Sequence, residues 1–119
     1  MVPALSVRSS TVTVSAPVSL DRFVPLPRPP ADFSIAYGGR ISYAYSVRDP
    51  VAKDVYVRVE VHNGKGVLLA KLVPGWVTTG VRHKISYRPR GRGTCVFTIY
   101  ARDRAGNVAT PATTIVKVR

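Results

Sequence analysis

The amino-acid sequence predicts an all-β fold: an antiparallel sandwich of two sheets with about seven strands. Several short runs alternate between apolar and polar residues, and this two-residue period is typical of a strand with one buried face. Turn residues separate these runs about every 8–12 residues, as in a sandwich. No window of about 11–18 residues has a convincing helical period. The 119 residues are enough for one domain with its own core.

Residues 1–32 are predicted to form an extended, proline-rich arm or linker outside the sandwich. The run Phe23–Pro30 carries four prolines in eight residues, and proline cannot donate to a ladder of hydrogen bonds. An alternating run at residues 10–15 is a candidate first strand. Two interpretations of this run stay open: it pairs with its own domain, or it completes a sheet edge of a neighbouring chain.

Residues 33–119 are predicted to form the sandwich itself. Three alternating runs occupy its first half, at residues 41–47, 55–62 and 67–73. Asn63 and Gly64 follow the second run, and Asn-Gly is the favoured pair for a tight primed hairpin turn. Pro74-Gly75 predicts a further turn after the third run, followed by an irregular segment.

The second half of this region has three more runs, at residues 82–87, 95–102 and 113–118. A turn is predicted between the last two. Gly106 can adopt a positive φ at little cost, while Asp103 and Asn107 can hydrogen-bond their own backbone. Together the strand at 95–102 and this turn are the part of the sequence most indicative of the fold.

Trp76 is the single tryptophan of the chain. The favoured interpretation is that it fills the edge of the core. The alternative is an exposed indole that stacks on a sugar or contacts another partner.

The net charge is +12, from 18 Lys and Arg against six Asp and Glu. Such a surface attracts polyanions, which include nucleic acid, anionic cell-wall polysaccharide and lipid headgroups. Five basic residues lie within eleven positions and are candidate anion-binding residues: Arg82, Lys84, Arg88, Arg90 and Arg92. The alternative is a solvated loop in a chain rich in arginine.

The sequence predicts no enzyme activity, no cofactor and no metal site. Cys95 is the only cysteine and has the phase of the core residues, so it is expected to be a small buried hydrophobe. His62 and His83 have no nearby carboxylate to orient them. Asp49 and Asp54 are expected to be solvated turn residues. The pair Asp103 and Asn107 offers too few oxygens for Ca²⁺, which takes about 6–8.

The order of these strands and turns resembles a known family. The run from Gly93 through Ala101, with Asp103, Gly106 and Asn107, is similar to that of bacterial immunoglobulin-like or fibronectin-III-like modules. The resemblance is greatest to the module of the flagellar hook-capping protein and to C-terminal modules of secreted bacterial enzymes. Such modules usually carry an aromatic residue at the position of Cys95 and an acidic loop where this chain has Arg88–Arg92.

The resemblance implies a non-catalytic interaction or spacer module of a bacterial surface or secreted protein, located outside the cell. Its partners would be another protein or flanking domains. Two alternatives are kept. The first is a subunit that assembles into an oligomer or filament through its N-terminal arm, and the second is a polyanion-binding module that uses residues 82–92. The first residues lack the pattern of a signal peptide, and no apolar run predicts a membrane span.

Overall fold

The computed structural model describes residues 23–119, which form eight β-strands in two sheets. The strands are β1 (Leu26–Arg28), β2 (Phe33–Ile35), β3 (Ile41–Arg48), β4 (Asp54–Asn63), β5 (Leu68–Thr78), β6 (His83–Tyr87), β7 (Gly93–Arg102) and β8 (Ala112–Val118). The prediction of an all-β, two-sheet sandwich is confirmed. The candidate strand at residues 10–15 lies outside the described residues. Within the described part of the chain, no helix is long and apolar enough to cross a membrane.

The larger sheet has five strands in the order β2-β8-β7-β4-β5. Its centre is regular: β7 pairs with β4 over eight consecutive residues and with β8 over seven. One pair departs from the antiparallel expectation, because β2 runs parallel to β8. Parallel strands cannot be joined by a tight turn. Strands β2 and β8 are far apart in the sequence, and the chain reaches β2 by crossing from β1 in the smaller sheet to the larger one.

The smaller sheet has three strands in the order β1-β3-β6. Strand β1 falls in the segment expected to be an extended arm, and Pro27 pairs with Val47 at the edge of the sheet. Proline is tolerated there because one side of an edge strand has no neighbouring strand, so the N–H that proline lacks is not needed for pairing. Pro25 and Pro27 are buried, so part of the predicted arm belongs to the sandwich.

The core lies between the sheets and follows the alternation seen in the sequence. Its buried apolar residues come mainly from β3, β4, β7 and β8: Ile41, Tyr43, Tyr45, Val47, Val55, Val57, Val59, Val61, Cys95, Phe97, Ile99, Ala101, Val116 and Val118. The rings of Tyr43 and Phe97 stack across the two sheets, with centroids 5.1 Å apart. Offset aromatic pairs of this kind stabilise a core beyond the area that they bury.

Strand β5 is longer than expected and runs through the segment predicted to be a turn. Val57 pairs with Gly75 and Val59 with Leu72, so Val73 and Pro74 together face a single residue of β4. This irregularity is a β-bulge. Val73 has a φ of 76°, which is strained for a β-branched residue. The bulge lets the strand continue past Pro74, and the expected irregular segment is replaced by the pairing of Trp76 with Tyr56.

The hairpin between β4 and β5 differs from the expected primed turn. The amide of Gly66 donates to the carbonyl of Asn63, and Gly66 has a φ of 86°, whereas Asn63 and Gly64 do not have positive φ. This is the pattern of an ordinary turn followed by a left-handed glycine. The side-chain oxygen of Asn63 accepts from the amides of Lys65 and Val67. Asn63 therefore stabilises the turn from its first position rather than its centre.

The turn after β7 is built around Asp103, which is only 1% exposed. One oxygen of its carboxylate accepts from the backbone amide of Asn107, and the other accepts from the Asn107 side-chain amide, both at 2.9 Å. Gly106 has a φ of 91° and donates to the Asp103 carbonyl. These bonds anchor the segment that leads the chain from β7 to β8.

Candidate interaction surfaces

The outer face of the five-stranded sheet carries alternating aromatic and arginine side chains. Cross-strand pairing brings three of them into one row, because Tyr56 on β4 lies opposite Trp76 on β5 and Arg102 on β7. The Tyr56 and Trp76 rings meet edge to face at 5.6 Å. The Arg102 guanidinium lies 4.7 Å from the Tyr56 ring centre and 5.4 Å from that of Trp76. One cation therefore contacts two aromatic rings on an open surface.

Arg104 covers the Trp76 ring and is itself held in place. Its guanidinium carbon lies 3.9 Å from the ring centre. Its Nε and one terminal nitrogen donate to the two oxygens of Asp54 at 3.1 and 2.9 Å. This two-point bond lowers the pKa of the Asp54 carboxyl below its ordinary value. Trp76 remains 39% exposed, so the indole contributes to the surface while Arg104 fixes one of its faces.

A second row lies beside the first. Arg58 on β4 lies opposite Tyr100 on β7, and its guanidinium is 4.3 Å from the Tyr100 ring centre. Arg58 also forms an ion pair with Glu60 at 2.8 Å. We call these two rows the arginine–aromatic face, which consists of Tyr56, Arg58, Trp76, Tyr100, Arg102 and Arg104. A shallow depression of about 190 Å³ lies between the rows.

This face is suited to binding an anionic group. A guanidinium stacked on a ring keeps its N–H groups directed outward in its own plane, where they can donate two parallel bonds to a carboxylate or phosphate. Arg58 and Arg104 each have an acidic neighbour, but Arg102 forms no ion pair with any carboxylate of residues 23–119. Arg102 is therefore the cation of this face most available to a ligand.

The structure divides the predicted anion-binding cluster between two places. Lys84 lies on β6 opposite Ala44 and points outward from the three-stranded sheet, and Arg82 lies just before this strand. Arg88, Arg90 and Arg92 lie in the loop between β6 and β7, at one end of the sandwich. Arg88 donates to the Gly38 carbonyl over 3.5 Å, and Arg92 lies 4.7 Å from the Tyr37 ring centre. The five cations therefore do not form one continuous site.

Trp76 was expected to fill the core edge and instead lies on the outside. The reason is the bulge at Val73 and Pro74, which shifts the phase of β5 and directs the indole away from the core.

The other members of the arginine–aromatic face were missed as a group. Their outward phase was readable from the alternation along β4 and β7. Their proximity was not, because it depends on which residues of neighbouring strands face each other.

The remaining reactive side chains have structural surroundings. Cys95 is 5% exposed, and burial raises the pKa of its thiol. A ring nitrogen of His83 lies 2.8 Å from the Thr78 carbonyl, and His62 lies 3.8 Å from Glu60. Among residues 23–119, no three side chains of the metal-binding types are grouped to hold an ion.

Comparison with known proteins adds information on the fold. No protein-family model matches the chain, and no curated protein sequence matches it. Among solved structures, it is similar to the PKD domain of an M14-like peptidase from Thermoplasmatales archaeon SCGC AB-540-F20, with a TM-score of 0.55 and 19% sequence identity. The match covers 80% of this chain and 92% of that one. The chain thus has an immunoglobulin-like β-sandwich fold of the kind found in that domain.

Proposed function

We propose that this chain is a non-catalytic interaction module of an extracellular or cell-surface protein, and that it contacts an anionic partner through the arginine–aromatic face. The observation that carries the proposal is the set of four contacts between guanidinium groups and aromatic rings on this one exposed face. Arg, Trp and Tyr are the residue types that dominate binding energy at protein interfaces.

The geometry supports this role in a second way. Binding normally immobilises long side chains, at a cost of about 0.5–1.5 kcal/mol for each one. Here Arg58, Arg102 and Arg104 already rest on aromatic rings, so much of this ordering is present before a partner arrives. A pre-ordered cationic surface favours a partner that offers carboxylate or phosphate groups at fixed positions.

The proposal can be tested with heparin as a model anionic polymer. We expect Arg102→Gln to lower the affinity of the full chain more than Arg48→Gln, which removes the same charge from the other sheet. Trp76→Ala should also weaken binding, because the indole supports two guanidinium groups. Affinity would be measured by calorimetry over a series of salt concentrations. Equal losses for Arg102→Gln and Arg48→Gln would show that the face makes no particular contribution.

A second candidate function is polyanion binding by the loop between β6 and β7. It is favoured by the exposure of Arg88, Arg90 and Arg92 in a loop that has no acidic residue. Changing these three residues together to Ser should reduce both the affinity for an oligonucleotide and its dependence on salt. An unchanged affinity and an unchanged salt dependence would exclude this loop as the binding site.

A further inference from the structure

One end of the sandwich collects loops from both sheets. The strand registers show this through three pairs that mark the ends of neighbouring strands: Ile41 with Tyr87, Asn63 with Cys95, and Gly93 with Val118. The loops 36–40, 64–67 and 88–92 therefore lie at the same end. Contacts between Arg88 and Gly38 and between Arg92 and Tyr37 join two of these loops directly.

The charged side chains at this end are all cationic. It carries six exposed cationic side chains: Arg40, Lys65, Arg88, Arg90, Arg92 and Arg119. None of its three loops contains Asp or Glu. The opposite end, where β3 and β7 finish and β4 begins, has a mixed charge, because Asp49, Asp54 and Asp103 lie there beside Arg48, Lys53, Arg102 and Arg104. We call the region formed by loops 36–40, 64–67 and 88–92, with Arg119 beside the first of them, the basic end.

Three consecutive aliphatic residues are exposed at the basic end. Val67, Leu68 and Leu69 follow the hairpin turn and are 56%, 44% and 45% exposed. Scattered exposed hydrophobic residues are normal on a protein surface, whereas a contiguous group marks a contact with another apolar medium. Their position at the tip of a hairpin leaves them accessible from outside the molecule.

A groove of about 570 Å³ connects these apolar residues with the arginine loop. Leu68 and Leu69 line this groove together with Arg88, Arg90 and Arg92. Apolar groups and cations thus lie side by side within one surface feature. The ligand that matches it must combine an anionic group with an apolar one.

We propose that the basic end docks onto an anionic phospholipid surface. Val67, Leu68 and Leu69 enter the boundary between headgroups and acyl chains, and the surrounding cations contact lipid phosphates. Amphipathic surfaces bind membranes by this combination of apolar burial and attraction to anionic lipids. Nucleic acid and anionic polysaccharide satisfy the charge but have no apolar interior for three aliphatic side chains. The proposal goes beyond the interaction module described above, because it uses none of the residues of the arginine–aromatic face. It shares Arg88, Arg90 and Arg92 with the second candidate function, and the leucine substitutions distinguish the two.

Flotation of the full chain with vesicles tests the proposal. We expect binding to vesicles of mixed phosphatidylglycerol and phosphatidylcholine, but not to vesicles of phosphatidylcholine alone. Leu68→Ser with Leu69→Ser, and separately Arg90→Ser with Arg92→Ser, should each weaken binding about tenfold or more. The matched control is Arg28→Ser with Arg82→Ser, which removes the same charge from the outer side of the three-stranded sheet and should have a much smaller effect.

Fluorescence distinguishes insertion of residue 69 into the lipid bilayer from electrostatic attraction of the chain to the membrane surface. A tryptophan introduced by Leu69→Trp should be quenched by lipids with brominated acyl chains. The native Trp76 lies towards the other end of β5, so the parent chain should show little quenching. The proposal is overturned if the leucine variant binds vesicles as well as the parent and Leu69→Trp is not quenched. It is also overturned if heparin binding follows the same residues and vesicle binding is absent, because the basic end would then be a polyanion site.

Discussion

The interactions of single side chains determine which parts of this sandwich tolerate change. Arg102 and Asp103 are adjacent in sequence but have opposite environments. Arg102 lies on the surface against two rings, whereas the Asp103 carboxylate is buried and accepts two hydrogen bonds from Asn107. The first residue is expected to affect binding and the second to affect folding.

Replacement of Asp103 by Ala should lower the free energy of unfolding by about 2–3 kcal/mol, because a hydrogen bond to a charged group contributes about 1.5–3 kcal/mol. The substitution removes the carboxylate that accepts from both the backbone and the side-chain amide of Asn107 in a partly buried turn. Urea unfolding followed by circular dichroism measures the effect. Asp103→Asn keeps one acceptor oxygen and should cost less. A change below about 0.5 kcal/mol for the Ala variant would contradict this role.

Three core-facing tyrosines should make the free energy of unfolding depend on pH in alkaline solution. Burial raises the pKa of Tyr43, Tyr45 and Tyr87 above the ordinary value. In the unfolded chain these phenols ionise near pH 10, before they ionise in the folded protein. Their stabilising contribution is therefore complete below about pH 10 and is lost as the pH rises through the folded pKa values.

Urea unfolding at increasing pH should accordingly show a free energy of unfolding that falls above about pH 10. Tyr43→Phe removes the most deeply buried of these phenols and should make the fall less steep. A free energy that stays constant well above pH 10, or an identical slope in the variant, would argue against this explanation.

At the level of secondary structure, alternation predicted the regular strands, including the edge strand β6, and failed for β1 and for the far half of β5. The runs at 41–47, 55–62 and 95–102 correspond to β3, β4 and β7 because each buries one complete side. Strand β1 was missed because its prolines suggested an arm, and the far half of β5 because Pro74-Gly75 suggested a turn. Edge strands tolerate proline and bulges, so local sequence is a poor guide to an edge strand that contains either of them.

The bulge in β5 can be tested by a pair of glycine substitutions. Val73 has a positive φ and Val77 does not, although both are partly buried and contact the core. Glycine at position 73 relieves backbone strain that costs roughly 1–2 kcal/mol for an ordinary residue, which offsets the lost side chain. We expect Val73→Gly to destabilise the protein less than Val77→Gly, by about 1 kcal/mol or more in urea unfolding. Equal decreases in the free energy of unfolding for the two variants would mean that the backbone at the bulge is not strained.

For the molecule as a whole, the interrupted sheet edges bear on the alternative of self-assembly. Of the four edge strands, β1 and β2 have three residues each, β6 has five, and β5 is broken by its bulge. Short or bulged edges discourage pairing with another chain. We expect the full chain to be monomeric over a wide range of concentrations in mass photometry and size-exclusion chromatography. Dimers that grow with concentration and disappear on Val12→Lys with Val14→Lys would instead support assembly through the N-terminal arm.

The overall architecture was predictable from the sequence, but the candidate surfaces were only partly so. The arginines of the loop 88–92 were identified as a group because they are close in sequence. The arginine–aromatic face and the basic end are assembled from three or more separate segments each. Their composition depends on strand register and on which loops share an end of the sandwich, and neither property is encoded in a local pattern.

The uneven distribution of charge between the two ends also affects how the molecule approaches a charged surface by diffusion. In the described part of the chain, Asp49, Asp54 and Asp103 at one end offset Arg48, Lys53, Arg102 and Arg104, whereas the loops of the basic end contain cations and no Asp or Glu. The positive charge is therefore concentrated at the basic end, which gives the sandwich an electric dipole along its length. A negatively charged surface exerts a torque on such a dipole within a distance set by the salt concentration. The molecule would therefore turn during its diffusional approach and arrive with loops 36–40, 64–67 and 88–92 in front.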